Sequence, residues 1–522
     1  MSSFEDYLNA NIRSIRAAAP QGAERGRAQR GIALIDSMQS EIFYLHGILK
    51  IGAIFADLEG LAPVAYPSER ATRKRRRIVN SLCASVVPVR RLLVAVLRVH
   101  FFAILKRSLA LRNRRDILAM EIDGCKIGPY IYDAVYRPLV EEVTVGQRIK
   151  VAYYLLCHHL DRKVIDTYPV ELALVSDPAG RTGMFFALCR RRGIRTINAI
   201  NIDVLQMQKY FSPRGPDPHY RAVPESALAL LEGDPTIASK IDRYFAARFR
   251  GAIPQHDVVR AFAGHKVIRG RAELCKDYGL HPDLPLVFVM AHVLTDAPHA
   301  YAPTLYRDYE EWLLRTVLAL ARNSRVNFLV KEHPSVALYG ESGILRRMLE
   351  KIGWQGRLLE SNVHTGSVLA AADAVVTCGG TIGIEASSLG IPVVLAARPP
   401  YAGKGFTVEP STVEAYEDLL ARRIGELERL TANEVLRAKQ VAYVLFELFD
   451  NDAPTLELGG IPFVRGQRFD EEQFYQNVVE ESRTPLRRQK LYKRLQEFHV
   501  SDDPSILNYG KLQSALTPAN LG

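Results

Sequence analysis

DAVVTCGGTIGIEASSLGIPVV, residues 373–394, is the stretch that decides the fold. A short unbroken apolar run ends at Thr377, a Cys-Gly-Gly turn follows, a helical segment begins near Thr381, and IPVV reads as another buried strand. Strand, glycine turn, helix and strand in that order form a parallel α/β unit, because parallel strands need a crossover connection. Gly379 and Gly380 let the backbone turn tightly and approach a ligand. The first N–H groups of the following helix have no partner within it, so they suit an anion. Glu385 stands one turn after Thr381 on the same face, placed to accept hydrogen bonds from ribose or sugar hydroxyls. The plainer reading is that the glycines serve strand–helix packing and Glu385 caps the helix.

Working outward, LPLVFVMAHV (284–293) and VNFLVKEHP (326–334) read as two earlier strands, with EEWLLRTVLALARN as the helix between them. Lys331, His333 and Pro334 end the second strand and so emerge at the same sheet edge as the glycine turn. Pro334 stops the strand, while Lys331 and His333 suit a phosphate. RPPYAGKGFT (398–407) reads as a loop after the last strand, with Tyr401 and Lys404 on it and glycines at 403 and 405, able to close over a ligand.

The N-terminal half has the same grammar. GIALIDSM, a helical stretch ending at Gly60 and LAPVAY open one sheet, and ELALVSDPAGRTGMFFALCRRRGIRTINAI (171–200) continues it. DILAMEIDGCKIGPYIYDAVYRPLV (116–140) reads as a strand, a Gly/Pro turn and a short helix, and Asp123 is the first choice there for a general base. Acidic residues in an Asp-Gly pair are more often turn formers. Expected boundaries are an N-terminal helical segment (1–30), an N-terminal α/β domain (31–276), a C-terminal α/β domain (277–450) and a helical tail (451–522). The final LTPANLG is expected to be disordered.

The chain has 522 residues with 68 Lys plus Arg against 57 Asp plus Glu, a net charge of +11. That length and an ordinary 48% hydrophobic content exclude global disorder and a disulfide-stapled miniprotein, and the charge points to an anionic partner. Six scattered cysteines without a CxxC pair read as buried thiols of a reducing cytoplasm with no zinc site. The apolar run from Val86 to Leu111 is broken by five cations and is not a membrane span. Residues from Arg70 to Arg115 are expected to form helices with a cationic face, giving salt-sensitive peripheral association with anionic lipid, whether or not the apolar face is core.

KEHP, TCGGTIGIEASSLGIPVV and PPYAGKGFT together resemble the bacterial capsule polysaccharide biosynthesis proteins, which include Kdo transferases of the GT-B fold. IDGCKIGPYIYDAVYR is similar to a segment of surface-polysaccharide proteins of this type, except that Pro129 stands where the family usually has Asp. The resemblance implies two Rossmann-type domains facing a cleft. The C-terminal one would bind a nucleotide-sugar, CMP-Kdo among the candidates, and the N-terminal one a glycan or lipid-linked glycan acceptor. It carries His333 and Pro334 onto the family's His-Pro motif at the donor phosphate, and Gly380, Thr381 and Glu385 onto its nucleotide-contacting turn. No cofactor or metal is expected. Alternatives are a polyol-phosphate transferase or a sugar-nucleotide epimerase on the same scaffold, or a non-enzymatic protein binding nucleic acid or a membrane surface. The basic run lacks interleaved stacking aromatics, which sets nucleic acid aside.

Overall fold

The computed structural model describes residues 3–18, 31–39, 41–66, 72–212, 222–253, 261–262, 266–300, 303–453, 456–460 and 469–512; the terminal LTPANLG lies outside them. The chain forms two compact units. The first comprises 1–135, 141–218 and 449–509, and the second 136–140, 219–448 and 510–522.

In the first unit the elements run α1 (Ser3–Ala18), β1 (Ile32–Asp36), α2 (Ile42–Glu59), β2 (Ala62–Tyr66), α3 (Arg73–Leu82), β3 (Ser85–Val86) and α4 (Val89–Ala110). Then come α5 (Arg114–Leu118), β4 (Glu121–Ile122), β5 (Cys125–Lys126), α6 (Gly128–Val135), α7 (Val145–Thr167), β6 (Val170–Val175), α8 (Gly180–Arg191), β7 (Arg195–Asn201) and β8 (Gln206–Tyr210). The sheet order is β3-β2-β1-β6-β7-β8, parallel except for the antiparallel β7–β8 pair. Gly60 ends α2 at φ 69°, returning its N–H to the Ala56 and Asp57 carbonyls.

The second unit holds α9 (Glu225–Ala229), α10 (Thr236–Phe249), α11 (Arg271–Asp277), β9 (Leu286–Met290), α12 (Tyr309–Leu320), β10 (Asn327–Lys331), α13 (Ile344–Lys351) and β11 (Leu358–Leu359). It continues with α14 (Thr365–Ala371), β12 (Ala374–Thr377), α15 (Ile382–Ser388), β13 (Val393–Leu395), α16 (Val413–Asp418) and α17 (Ala432–Tyr443). Its sheet is wholly parallel in the order β11-β10-β9-β12-β13. Nearly every residue of β9, β10, β12 and β13 is buried, the mark of a parallel sheet covered on both faces. The protein is thus α/β, with two Rossmann-type sheets.

Three expectations need correcting. The strand expected around residues 117–124 is instead α5 followed by a two-residue antiparallel hairpin, β4–β5. Asp123 and Gly124 make its turn with φ of 51° and 74°, the backbone a two-residue hairpin loop requires. Gly128 and Pro129 begin α6 rather than a turn, where proline's missing N–H costs nothing. The units also divide at 218/219 rather than near 277. Finally, the tail is no separate region: α18 (Glu471–Glu481) and α19 (Lys490–Val500) belong to the first unit.

The tail returns because every residue of α2 from Phe43 to Ala56 is buried but for the half-buried Tyr44, and a helix so nearly apolar all round needs cover on both faces. The sheet covers one side. Tyr7 of α1 and Phe474, Tyr475, Leu491, Leu495 and Phe498 of the tail share a buried cluster with Leu49, Ile54 and Phe55 on the other. Asp57, near the end of α2, pins the tail by accepting from Arg487 (2.8 Å) and the Tyr492 hydroxyl (2.7 Å). All six cysteines are free and buried.

Phe474→Ala should therefore cost about 3–5 kcal/mol of stability, whereas Val500→Ala, on the same tail but 76% exposed, should stay within about 0.5 kcal/mol. Urea unfolding of both variants checks this, and equal losses would mean that the tail does not complete the core.

Candidate functional site

In the second sheet the chain lays β10 and β11 to one side of β9, then crosses to lay β12 and β13 on the other. A reversal of this kind leaves a crevice at the carboxyl ends of the central strands, and ligands of open α/β sheets bind there. A pocket with about 640 Å³ of empty space, counted to its open mouth, occupies that place. Its wall takes Met290 to His292 from the end of β9, Lys331 to Pro334 from β10, and Thr377, Gly380, Thr381, Ile382 and Glu385 from β12 and α15. Arg248, Ala261, Phe262 and Thr365 complete it.

The structure brings Lys331, His333, Pro334, Gly380, Thr381 and Glu385 of the expected set into this one pocket. Lys331 is buried and donates through Nζ to the Val363 carbonyl at 2.8 Å. Burial, reinforced by Lys266, pulls its ammonium down to about 7, with Glu332 holding it up. Its folded value thus lies below its ordinary 10.5. Between those two values the unfolded chain holds a proton the native state lacks, so this group makes stability rise with pH in that window. His333 is half-buried, and its Nδ1 accepts the Ser335 N–H at 3.2 Å.

The glycine turn works differently from the expectation. Neither Gly379 nor Gly380 has positive φ. The turn is held instead by neighbours. His292 Nε2 accepts the Gly379 N–H at 3.2 Å, Thr377 Oγ1 accepts the Gly380 N–H at 3.2 Å, and the Tyr401 hydroxyl donates to the Gly380 carbonyl at 2.6 Å. A Cβ at Gly383 would sit 2.2 Å from that hydroxyl, so Gly383 is the glycine that close packing demands. His292 stacks on Tyr309 with centroids 4.5 Å apart. Burial and the nearby His333 push its imidazole down to about 3, so it is neutral at pH 7. An Nε2 that accepts leaves the ring proton on Nδ1.

Glu385 is buried in an ion pair with Arg248 of α10, Nε to Oε1 2.8 Å. Arg248 also lies over the Phe446 ring at 5.1 Å. Burial lowers the guanidinium's proton affinity, but Glu385 and Tyr244 more than offset that. Expected to accept sugar hydroxyls, Glu385 thus has one oxygen committed to a cation inside the pocket wall.

Tyr401, Lys404 and Asp123 do not line the pocket. Tyr401 is fully buried beneath the turn as its support. Lys404 pairs with Glu225, and its loop is tied down by Glu409, which accepts from the Gly403 N–H at 2.7 Å and the Thr407 hydroxyl at 2.6 Å. This is an anchored turn rather than a free lid. Asp123 belongs to the first unit, in the hairpin turn, where it pairs with Arg162. Gly379 reaches the pocket only through its hold on His292. Sequence reasoning missed His292, although it follows β9 as His333 follows β10 and the same strand-end argument finds it. Nothing local marks Arg248, one arginine on an amphipathic helix. The sequence also holds an Asp-x-Asp triplet, Asp450-Asn451-Asp452. It lies in the first unit as a turn, with Asp450 accepting the Asp452 N–H at 3.0 Å. Among the described residues no group of three or more His, Cys, Asp or Glu is placed to hold a metal.

The class defined so far is a parallel α/β unit with a partly cationic pocket at its strand reversal. Residues 308–445, which carry most of that pocket, match the family described as capsule polysaccharide biosynthesis protein. No curated protein matches the chain. Among solved structures, the chain is similar to KpsC of Thermosulfurimonas dismutans, titled a beta Kdo 2,4 transferase. The identity is 18% over 53% of this chain and 81% of that one, with a TM-score of 0.32. A second KpsC structure from that organism, titled a beta Kdo 2,7 transferase, gives 16% over 61% and 89%, with a TM-score of 0.32. A UDP-N-acetylglucosamine 2-epimerase gives 9% over 91% and 98%, with a TM-score of 0.20. Likenesses this distant carry no functional argument.

Breaking the buried pair from either side should be costly. Glu385→Leu or Arg248→Met alone should each lose about 3–5 kcal/mol, since a buried charge is left unpaired, while the double variant should recover much of it. A double-mutant cycle by denaturant unfolding reads this, and strictly additive losses would show that the pair is not coupled.

Proposed function

We propose that the protein is a glycosyltransferase of capsular or other surface polysaccharide assembly, of GT-B type, acting from a nucleotide-activated sugar on a glycan or lipid-linked glycan acceptor. One observation carries the reading. Lys331, His333 and the Gly380–Thr381 turn, from two strands on either side of β9, converge on one pocket at the strand reversal, within a segment matched by a capsule biosynthesis family. Bond cleavage leaves negative charge on the departing nucleotide phosphate. Cations and N–H donors already in place stabilise that charge without reorganising. Lys331 supplies the cationic group, His333 can donate through Nε2 while its Nδ1 accepts the Ser335 N–H, and the first turn of α15 adds N–H donors, modestly, because that helix has only seven residues. His292 and Tyr401 hold the turn in position. No metal is required in this reading, and CMP-Kdo is the donor proposed for the first trial. The protein would work in the cytoplasm.

The test is a panel of CMP-, UDP- and GDP-sugars scored for thermal stabilisation, because a ligand that binds only the native state must raise stability. Labelled transfer from the best binder then follows. Conversion of the donor sugar without transfer would favour an epimerase, and no stabilisation by any donor would reject the reading.

His333→Ala should lower turnover by roughly 10- to 150-fold, the equivalent of losing one charge-assisted contact of ~1.5–3 kcal/mol. Its unfolding midpoint should stay unchanged, since the residue ends a strand outside the core. Wild-type turnover in a folded variant would remove it from the mechanism.

Donor affinity should also fall as pH rises above about 7, where free Lys331 loses its proton, because a bound phosphate favours the charged form. Calorimetric titration between pH 6 and 9 measures this. Lys331→Arg, which keeps its charge throughout that range, should flatten the profile, and an unaltered pH dependence would place the titration elsewhere.

A further inference from the structure

The sequence left open whether the apolar side of the basic region is core. It is not. Of α4's side chains only Val96, Ile104 and Ser108 are buried, while Phe102 is 81% and Val99 74% exposed, and Phe101, Leu105 and Leu109 also face water. The neighbouring end of α7 adds Val145 at 73% and Ile149 at 66%. The two helices lie antiparallel. The Val143 N–H donates to the Arg112 carbonyl at 3.1 Å, Arg148 reaches the Leu109 carbonyl, and His100 stacks on His159 at 3.9 Å. That pairing places Val145 and Ile149 beside the C-terminal half of α4, so the exposed residues form one patch. A contiguous exposed apolar patch on a folded protein marks an interaction surface.

Its charge says what kind. Between residues 71 and 115 there are 13 Lys and Arg and no Asp or Glu. The cluster at 73–77 is largely spent inside the fold: Lys74 pairs with Glu471, Arg77 with Glu5, and Arg75 donates to the Ser37 carbonyl. α4 carries further cations of its own. Arg98 and Lys106 share the outer face with Phe102, Leu105 and Leu109 at three- and four-residue spacing, and neither forms an ion pair among the described residues. Their long stems can lie along apolar surface while the charge reaches out.

We propose that the α4–α7 face docks on an anionic lipid bilayer, with Val99, Phe102, Leu105, Leu109, Val145 and Ile149 entering the interface and Arg98 and Lys106 meeting headgroup phosphates. A second copy on a twofold axis would set Arg98 and Lys106 against their own copies, cation to cation. A soluble polyanion would satisfy the cations and leave the apolar side chains in water. A bilayer satisfies both. The inference stands on this face alone and does not depend on the glycosyl-transfer reading.

Flotation of the full chain with phosphatidylcholine vesicles, with and without about one-third phosphatidylglycerol, at low and high salt, tests it. Binding should require the anionic lipid, weaken at high salt and not vanish there. Arg98→Ala and Lys106→Ala should each weaken low-salt binding about fivefold, and Phe102→Ser with Leu109→Ser by about tenfold or more, with circular dichroism unchanged. Phe102→Trp should keep binding, and its fluorescence should be quenched by brominated lipid. No flotation at low salt, binding abolished by salt alone, or no quenching would each overturn the proposal. So would a concentration-dependent dimer that Phe102→Ser dissolves, which would assign the face to a second copy.

Discussion

The hydrogen bond from the Gly379 N–H to His292 Nε2 ties the end of β12 to the end of β9, the two strands between which the second sheet reverses. Parallel pairing makes the reversal possible and leaves a crevice there, but a crevice alone fixes no geometry. The imidazole does, because burial keeps it neutral and thus able to accept at Nε2. Stacking on Tyr309 keeps the ring from rotating. Lys331 and His333 come from the adjacent strand, so their spacing from the turn follows from the β9–β10 and β9–β12 registers.

The pocket's wall combines rigid and costly parts. Arg248 and Glu385 place a charged pair where little water reaches, an arrangement that adds little net stability but penalises any movement that separates the partners. Tyr401 supports the turn from below through the space Gly383 leaves open. The anion-suited groups therefore stand on a strand end and a braced turn, elements that hold position better than free loops.

Much of this was legible in the sequence where the signal is local. The strands β9, β10, β12 and β13 are short apolar runs bounded by turn residues, and burial on both faces produces that pattern. Lys331, His333 and Thr381 followed from knowing where such strands end. What failed was everything whose cause lies far along the chain. Arg248 is set by its partner more than a hundred residues away, and no periodicity announces it. The 218/219 division and the return of 449–509 were hidden because α2's need for cover is written at residues 43–56 and answered at 474–498. At Asp123 residue type alone does not choose: the same Asp-Gly pair suits a strand-end base and a hairpin turn, and the positive φ at both residues shows the turn.

The tail's position has a consequence for how the protein is made. During synthesis α2 emerges early, while the tail residues that complete the cover of its outer side emerge only after residues 219–448 of the second unit. At roughly 5–20 residues per second, the 230 residues from 219 to 448 take on the order of 10–50 seconds to appear. Through that interval the second unit can fold as its own strands arrive, while the first stays open along its most apolar helix. The later half of the gene is thus completed first as structure, and the earlier half depends during that time on whatever shields nascent apolar surface in the cell.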